Sequence, residues 1–430
     1  MDTTHSHREN RVFRLIHFYI RRIWRDTSNL LKWLVLSIFT GFTVGIVSSI
    51  FARALEFVTD FRGENLWIVL LMPVAGICIV FLYQKFGRDD GGTNQVLSTI
   101  RSQDDVPLRS APLIFISTLL THLTGGSAGR EGAAIQLGGS IGNQLGTWLR
   151  LDEEDQHVIV MCGMSAAFSA VFGTPMAAAV FSMEVVSVGV MYYAALLPCV
   201  ISSLVASRFA VSFDIHPEDF HVYGIPEFTA VSGLKMLLVA VCCGIVSILF
   251  CLALRGAGQF YSCFLKNPYL RIGAASGAFI LITLLLGTTD FMGAGNGLIR
   301  EAVEEGQAGA FDFLWKLILT SIIMKSGFRG GEIVPSFCIG ATFGCVMGQL
   351  TGLSPSLCAA SGMAALFCGV TNCPITSILI AFEMFGFKGV SYYLIAVAIS
   401  YAVSGYYGLY KDQTIVYSKY KAKYINRHTK

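Results

Sequence analysis

Long uninterrupted hydrophobic runs, rather than alternating apolar and polar positions, dominate this chain. Residues 34–57, 67–83, 234–254 and 272–287 meet or approach the roughly 20 apolar residues that an α-helix needs to cross a bilayer. The alternating pattern of an outer-membrane barrel is absent from the sequence. Because a spanning segment must satisfy its own backbone hydrogen bonds, the pattern predicts an all-α integral membrane protein.

Other hydrophobic stretches are short and interrupted by glycine or proline. Examples are Gly125–Gly132, Phe172–Met176 and Gly330–Pro335. Irregular backbone at membrane depth is tolerated where it is buried in protein or lines a cavity. Paired interruptions are typical of a transporter binding site near the midplane, so we expect broken, re-entrant helices around such a site.

The two halves of the chain repeat each other at an offset of about 200 residues. The matched segments, in chain order, are Gly45–Leu55 with Gly244–Leu254, Gly91–Leu97 with Gly293–Ile299, Gly129–Ala133 with Gly331–Pro335, and Gly163–Phe168 with Gly362–Phe367. We expect an amphipathic segment (1–30), a first membrane repeat (31–211), a linker (212–231), a second membrane repeat (232–410) and a short C-terminal segment (411–430).

Composition and charge support a membrane protein and exclude some partners. The chain is 54% hydrophobic and 14% charged, against about 25% charged in soluble domains. A net charge of +3 is too small to indicate nucleic acid binding. Most of the twelve cysteines lie in apolar runs without Cys-x-x-Cys pairs, which favours small buried hydrophobes over disulfides or metal ligands. We expect no metal and no cofactor.

Basic residues cluster at both ends of the chain, from Arg8 to Arg25 and from Lys419 to Lys430. The positive-inside rule therefore places both termini in the cytoplasm of a multi-pass protein in a bacterial-type inner or plasma membrane. Residues 12–24 interleave arginine with large apolar side chains, which predicts an amphipathic interfacial helix rather than a signal peptide.

Three glycine-rich segments, 91–95, 129–133 and 331–335, open predicted helices. Unpaired N–H groups and the helix dipole make such N-termini attractive to anions. One such segment is equally well explained by close helix packing. Three of them, each beside a polar side chain and repeated between the halves, favour an anion site.

Glu131 stands out because a carboxylate in an apolar membrane context costs about 2.5–3.5 kcal/mol without a partner or a function. An ion pair with Arg130 is the structural alternative. The functional alternative is that Glu131 competes with the transported anion for backbone N–H groups and takes up a proton when desolvated. Glu131 is then both gate and proton carrier.

An enzymatic alternative comes from Gly125–Gly129, which matches the Gly-x-Ser-x-Gly pattern of a serine nucleophile. The downstream histidines lie in polar loops or the tail, where they are poor candidates for the general base. An intramembrane serine hydrolase built on Ser127 is therefore a remote alternative, and we expect no enzyme activity.

The segment Gly129–Gly132 resembles the Gly-Lys/Arg-Glu-Gly-Pro motif of the CLC family of chloride channels and proton-coupled antiporters, with Ala133 in place of proline. Gly331–Pro335 is similar to the family's filter segment, and Val416–Ser418 to its segment with a pore-lining tyrosine. The resemblance runs from about residue 34 to 417. It implies a CLC-type bundle of two pseudo-symmetric repeats and a homodimer.

The departures from the chloride pattern resemble the fluoride/proton antiporter branch. Gly91–Gln95 replaces the Gly-Ser-Gly-x-Pro segment, and Ile333 replaces the filter phenylalanine. Val185 stands where chloride antiporters carry an inner glutamate. Proton-coupled fluoride export is favoured, while a chloride/proton antiporter and a passive chloride channel of the same fold stay open.

The resemblance also assigns roles to residues. Thr93 and Tyr417 would donate hydroxyl hydrogen bonds to the ion, and the backbone near Ile333 and Val334 would supply N–H donors. Asn94 either contacts the ion or braces its loop, and Glu332 either couples protons or braces the site. Further pore-lining or coupling candidates are Gly129, Arg130, Gly132 and Glu332.

Overall fold

The computed structural model describes residues 3–87, 91–101, 106–421 and 423–429. The description leaves out the side chains of residues 3–14 and 16 and the whole of Lys430. Part of the predicted basic termini therefore lies outside the described residues.

Helices account for nearly all of the described membrane region, with eight in each half. Those of the first half are α1 (Thr3–Glu64), α2 (Met72–Phe86), α3 (Thr93–Thr99), α4 (Ser110–Leu123), α5 (Glu131–Trp148), α6 (Glu153–Phe172), α7 (Pro175–Glu184) and α8 (Leu196–Ser212). Those of the second half are α9 (Ala230–Phe264), α10 (Pro268–Leu286), α11 (Asn296–Arg300), α12 (Asp312–Ser326), α13 (Ile333–Thr351), α14 (Pro355–Thr371), α15 (Pro374–Phe385) and α16 (Val390–Val403). Short 3₁₀ turns (Leu66–Leu71, Tyr193–Ala195) and one π-turn (Glu301–Glu305) complete them.

Seven helical segments of the described chain are long and apolar enough to cross a membrane by length and composition. Several others are too short to span on their own, including α3, α7 and α11. The prediction of an all-α membrane bundle with broken helices is confirmed.

Glycines allow the two halves to pack in the same way. A Cβ on Gly138 of α5 would lie 2.2 Å from the carbonyl oxygen of Gly163 on α6, so only glycine fits at this crossing. In the second half, a Cβ on Gly340 of α13 would lie 2.5 Å from the carbonyl oxygen of Gly362 on α14. The aligned glycines of the repeat therefore mark equivalent helix crossings.

Two carboxylates tie the halves together at helix ends. Glu383 accepts hydrogen bonds from the backbone N–H groups of Met176 (2.9 Å) and Ala177 (2.8 Å) at the start of α7. Glu184 does the same for Ile375 (3.0 Å) and Thr376 (2.8 Å) at the start of α15. Each glutamate thus satisfies the free N–H groups of a helix from the other repeat.

The C-terminal segment forms a small sheet with strand order β1 (Ser187–Val188), β2 (Thr414–Tyr417), β3 (Tyr424–His428). β1 pairs parallel with β2, and β2 pairs antiparallel with β3. Gln413, just before β2, donates hydrogen bonds from its amide nitrogen to the carbonyl oxygens of Val185 (2.9 Å) and Thr371 (2.7 Å). These bonds fix the C-terminal segment to the ends of α7 and α14.

Candidate functional site

The two broken-helix openings of the repeats meet at Gly129 and Gly331. Each residue donates its N–H group to the carbonyl oxygen of the other, at 2.7 Å in both directions. A Cβ on Gly331 would lie 2.7 Å from the backbone nitrogen of Gly132, so the contact needs glycine. The starts of α5 and α13 therefore lie side by side at the interface of the repeats.

Glu131 is the first residue of α5, and it is 1% exposed. Its Oε2 accepts a hydrogen bond of 3.0 Å from the backbone N–H of Arg130, and its Oε1 lies 3.6 Å from Arg130 Nε. Arg130 makes its shorter ionic contact, 2.9 Å, with Glu218. The Glu131 carboxylate therefore occupies a position at a helix start where backbone N–H donors attract an anion.

The residues before and after Glu131 in the sequence line two different cavities. The small cavity, of about 150 Å³, is lined by Gly91, Gly92, Thr93, Asn94, Ile114, Gly132, Gln136, Met324, Lys325, Phe328, Arg329, Gly330, Gly331, Glu332, Leu409 and Tyr410. The large cavity, of about 620 Å³, includes Arg130 in its wall. Arg130 lines the large cavity and Gly132 the small one, so the sequence neighbours of Glu131 belong to different cavities.

Polar groups converge on the small cavity. The Thr93 hydroxyl donates to the carbonyl oxygen of Gly132 at 3.2 Å, so it must turn away from this carbonyl before it can donate to an ion. Asn94 Oδ1 is buried and has no hydrogen-bond partner among the described residues. An unpaired buried amide oxygen suits a transient O–H donor, such as a protonated carboxyl group.

Two cations in the small cavity were missed by sequence reasoning. Lys325 Nζ donates to Glu332 Oε1 at 2.6 Å, so the predicted extra carboxylate is paired. The Arg329 guanidinium lies 3.9 Å from the centroid of the Tyr83 ring, and its Nε has no partner among the described residues. Charges at membrane depth are themselves a functional signal, which could have identified both residues in the sequence.

The structure does not bring Tyr417 to this cavity. Tyr417 is 48% exposed on strand β2, and its ring packs edge-on against Tyr424 at 5.9 Å. Tyr410 lines the small cavity instead and is 5% exposed. Tyr417 therefore does not line the small cavity, because pairing between β2 and β3 holds that residue at the surface.

Ile333 and Val334 begin α13 directly after Glu332, and their side chains are buried in the core rather than in the cavity wall. As residues of the first helical turn, they have N–H groups without an intrahelical acceptor. Gly129 is held in the contact with Gly331, and Gly132 contributes to the wall of the small cavity.

Ser127, the candidate serine nucleophile, is fully buried. Its hydroxyl group is hydrogen-bonded to the hydroxyl group of Thr320 at 2.9 Å. A threonine hydroxyl is not a general base, so this pair does not activate Ser127.

Comparison with known proteins shows similarity to chloride channels and ion exchangers. The sequence profile described as voltage gated chloride channel matches residues 75–405. A chloride/fluoride channel protein of Pseudomonas syringae pv. tomato is 33% identical over 397 residues, covering 90% of this chain and 88% of the relative. The H(+)/Cl(-) exchange transporter ClcA of Vibrio cholerae is 26% identical over 384 residues, covering 82% and 81%.

Solved structures show the same fold. A CLC-type fluoride/proton antiporter superposes with a TM-score of 0.86 at 35% identity, covering 89% of this chain and 98% of that chain. A slow cyanobacterial Cl-/H+ antiporter superposes with a TM-score of 0.75 at 20% identity, covering 86% and 94%. The second likeness is one of fold alone.

Proposed function

This chain belongs to the voltage-gated chloride channel (CLC) family, and on that premise we propose that it is a fluoride/proton antiporter that exports fluoride. One observation carries the proposal: the buried Glu131 carboxylate lies at the start of α5 and accepts a backbone N–H hydrogen bond, and its sequence neighbours line two different cavities. A carboxylate in this position competes with a transported anion for the same donors. Protonation neutralises it, so that it can leave the donors to the anion and carry the proton.

Selectivity for fluoride is supported by the walls of the small cavity. Fluoride is small and strongly hydrated, so a compact set of donors must replace its water. Thr93, Tyr410 and the N–H groups at the start of α13 offer such a set, and Lys325 and Arg329 add positive charge. Two relatives named for fluoride, at 33% and 35% identity, support the same ion.

Glu332 extends the proton pathway in this proposal. Its carboxylate faces the small cavity and is paired with Lys325 at 2.6 Å. A paired carboxylate repels the ion less than a free one, and it can exchange a proton with the cavity when the pair opens. Asn94, whose amide oxygen has no partner among the described residues, can accept a hydrogen bond from a protonated glutamate as it passes.

Chloride/proton exchange is the second candidate. It is favoured by the relatives named H(+)/Cl(-) exchange transporter at 26% identity. A passive chloride channel would use the same cavities without moving protons.

For the assembly and topology, we propose a homodimer with one pathway per subunit and both termini in the cytoplasm, on the strength of the family resemblance and the basic ends of the chain.

Flux from liposomes tests this function. Purified protein is reconstituted with internal sodium fluoride or sodium chloride, and the release of each ion is followed by an ion-selective electrode while external pH is recorded. The proposal predicts faster fluoride than chloride release, with proton movement in the opposite direction. Equal or faster chloride release would favour the chloride antiporter.

A further inference from the structure

Lys316 is a fully buried lysine of α12 without an acidic partner. Its side chain is 0% exposed, and no carboxylate lies within 4.0 Å of its Nζ among the described residues. The ammonium group instead donates to two backbone carbonyl oxygens, those of Gly293 at 2.8 Å and Phe291 at 3.1 Å. A charge at membrane depth is costly and indicates a functional position. Lys316 lines neither the large nor the small cavity, so its function is not that of a wall residue.

The carbonyl group that Lys316 holds also binds the backbone just before the gate. Ala128 donates its N–H group to the carbonyl oxygen of Gly293 at 3.1 Å. The next residue, Gly129, forms the backbone contact between the two repeats, and Glu131 follows two positions later. Lys316 is therefore connected to the backbone of the gate through one shared acceptor.

Helix α12 holds the same segment at a second point, one helical turn further along. Thr320 follows Lys316 by four positions, which places both side chains on one face of α12. The Thr320 hydroxyl group is hydrogen-bonded to the Ser127 hydroxyl group at 2.9 Å, and both residues are fully buried. Since Ser127 and Ala128 are adjacent, two side chains of α12 fix the segment that leads to Glu131.

The internal repeat shows what occupies the position of Lys316 in the first half. The glycine segments on either side of it align with those of the first repeat at one constant offset, at which Lys316 matches Ile114. Ile114 lines the small cavity together with the loop 91–94. In the second repeat, a Cβ on Gly295 would lie 3.1 Å from Lys316 Nζ. The second-repeat loop is thus closed onto the ammonium group, whereas its first-repeat counterpart borders a cavity.

We propose that Lys316 is a positioning residue: its ammonium group fixes the backbone before Glu131 and thereby keeps fluoride transport coupled to proton transport. This inference rests on the proposed function, in which Glu131 competes with fluoride and carries the proton. Without the ammonium group, the carbonyl group of Gly293 loses a donor and the segment before Glu131 becomes less constrained. A displaced carboxylate no longer has to be protonated before fluoride reaches the N–H donors, so fluoride passes without a proton.

The number of protons moved per fluoride ion tests the proposal. Purified full-length protein carrying Lys316→Met is reconstituted in liposomes loaded with sodium fluoride, and fluoride release and external pH are recorded together. Methionine approximates the length of the lysine side chain without its charge or its N–H donors. The variant is expected to move about tenfold fewer protons per fluoride ion than wild type, within the usual range of coupling between two sites.

A role of Lys316 in stability alone would give a different result. Loss of stability reduces the fraction of folded protein and the total flux, but it leaves the ratio of protons to fluoride ions unchanged. Ser321→Ala is the matched control, because Ser321 is also buried on α12 and its hydroxyl group donates within the helix to the carbonyl oxygen of Leu317 at 2.8 Å. This control should keep the wild-type ratio. A wild-type ratio in Lys316→Met, or an equal loss in Ser321→Ala, overturns the proposal.

Lys316→Gln covers the case in which Lys316→Met does not fold. Its amide group is shorter and uncharged, so it does not hold both carbonyl groups as the ammonium group does. A ratio of protons to fluoride ions below that of wild type is expected, and an unchanged ratio overturns the proposal.

The wild-type protein separates the two levels of the account. If wild type does not exchange fluoride for protons, the proposed function fails. If wild type exchanges them and the Lys316 variants keep its ratio, only the role of Lys316 fails.

Discussion

Gly129 and Gly331 exchange two backbone hydrogen bonds of 2.7 Å, one in each direction, and so join the broken helices of the two repeats. The residues that follow them, Arg130 and Glu332, line different cavities. Glu131 lies beside this contact. A change in the Gly129–Gly331 contact is therefore expected to move Glu131 relative to both cavities.

The first prediction is that Gly331→Ala strongly slows transport. Its Cβ would lie 2.7 Å from the Gly132 nitrogen and 3.1 Å from the Glu131 nitrogen, so the backbone at the gate must shift. Fluoride release from liposomes is expected to fall by at least tenfold. Gly277→Ala on α10 is the control, since nothing lies within 4 Å of the added methyl group. Normal transport by Gly331→Ala would show that the contact does not position the gate.

The second prediction separates the two tyrosines. Tyr410→Phe removes a hydroxyl group at the small cavity, and a hydrogen bond to a charged group contributes roughly 1.5–3 kcal/mol. Fluoride affinity measured by calorimetry should therefore weaken by about an order of magnitude or more. Tyr417→Phe should leave the affinity unchanged, because this side chain is exposed on β2. The reverse result would assign the pore tyrosine to Tyr417.

The third prediction concerns the pair of Lys325 and Glu332. Lys325→Gln leaves the Glu332 carboxylate without its partner in an anion cavity, so fluoride affinity is expected to fall by about tenfold. Adding Glu332→Gln removes the repulsion and should restore most of the affinity, although proton coupling should then decrease. Calorimetry on both single variants and the double variant gives the coupling between the two residues. If the effects of the two substitutions on fluoride affinity are strictly additive, Lys325 and Glu332 do not act as a pair.

The fourth prediction is that Glu383 acts through stability alone. Glu383→Gln weakens the two charge-assisted bonds to the start of α7, and bonds to charged groups contribute roughly 1.5–3 kcal/mol. The melting temperature should fall, while fluoride release per folded molecule stays at the wild-type level. Glu64→Gln, at an exposed position at the end of α1, is the control. A loss of transport without a loss of stability would assign Glu383 to the pathway.

Local patterns in the sequence were sufficient to predict much of this structure. Hydrophobic runs predicted the helices, the internal repeat predicted the paired broken helices, and a carboxylate in an apolar segment identified Glu131. Contacts between distant segments were not accessible in this way. Glu218 reaches Arg130 across 88 positions of the chain, and no local pattern marks that contact.

The positions of the two tyrosines could not be predicted for a similar reason. The end of the chain contains several tyrosines within a short distance, and the motif around Tyr417 is only three residues long. Tyr410 differs from Tyr417 in its surroundings rather than in its sequence neighbours. Gln413 fixes the backbone after Tyr410 through bonds to Val185 and Thr371, and the strand that follows carries Tyr417 away from the cavity.

The most direct test of the account is fluoride-driven proton movement in liposomes containing wild-type protein or Glu131→Gln. The substitution removes the titratable group while keeping its size. Wild type should release fluoride faster than chloride and move protons in the opposite direction, and Glu131→Gln should move no protons under the same fluoride gradient. Unchanged proton movement in Glu131→Gln, or chloride release at least as fast as fluoride release by wild type, would contradict the account.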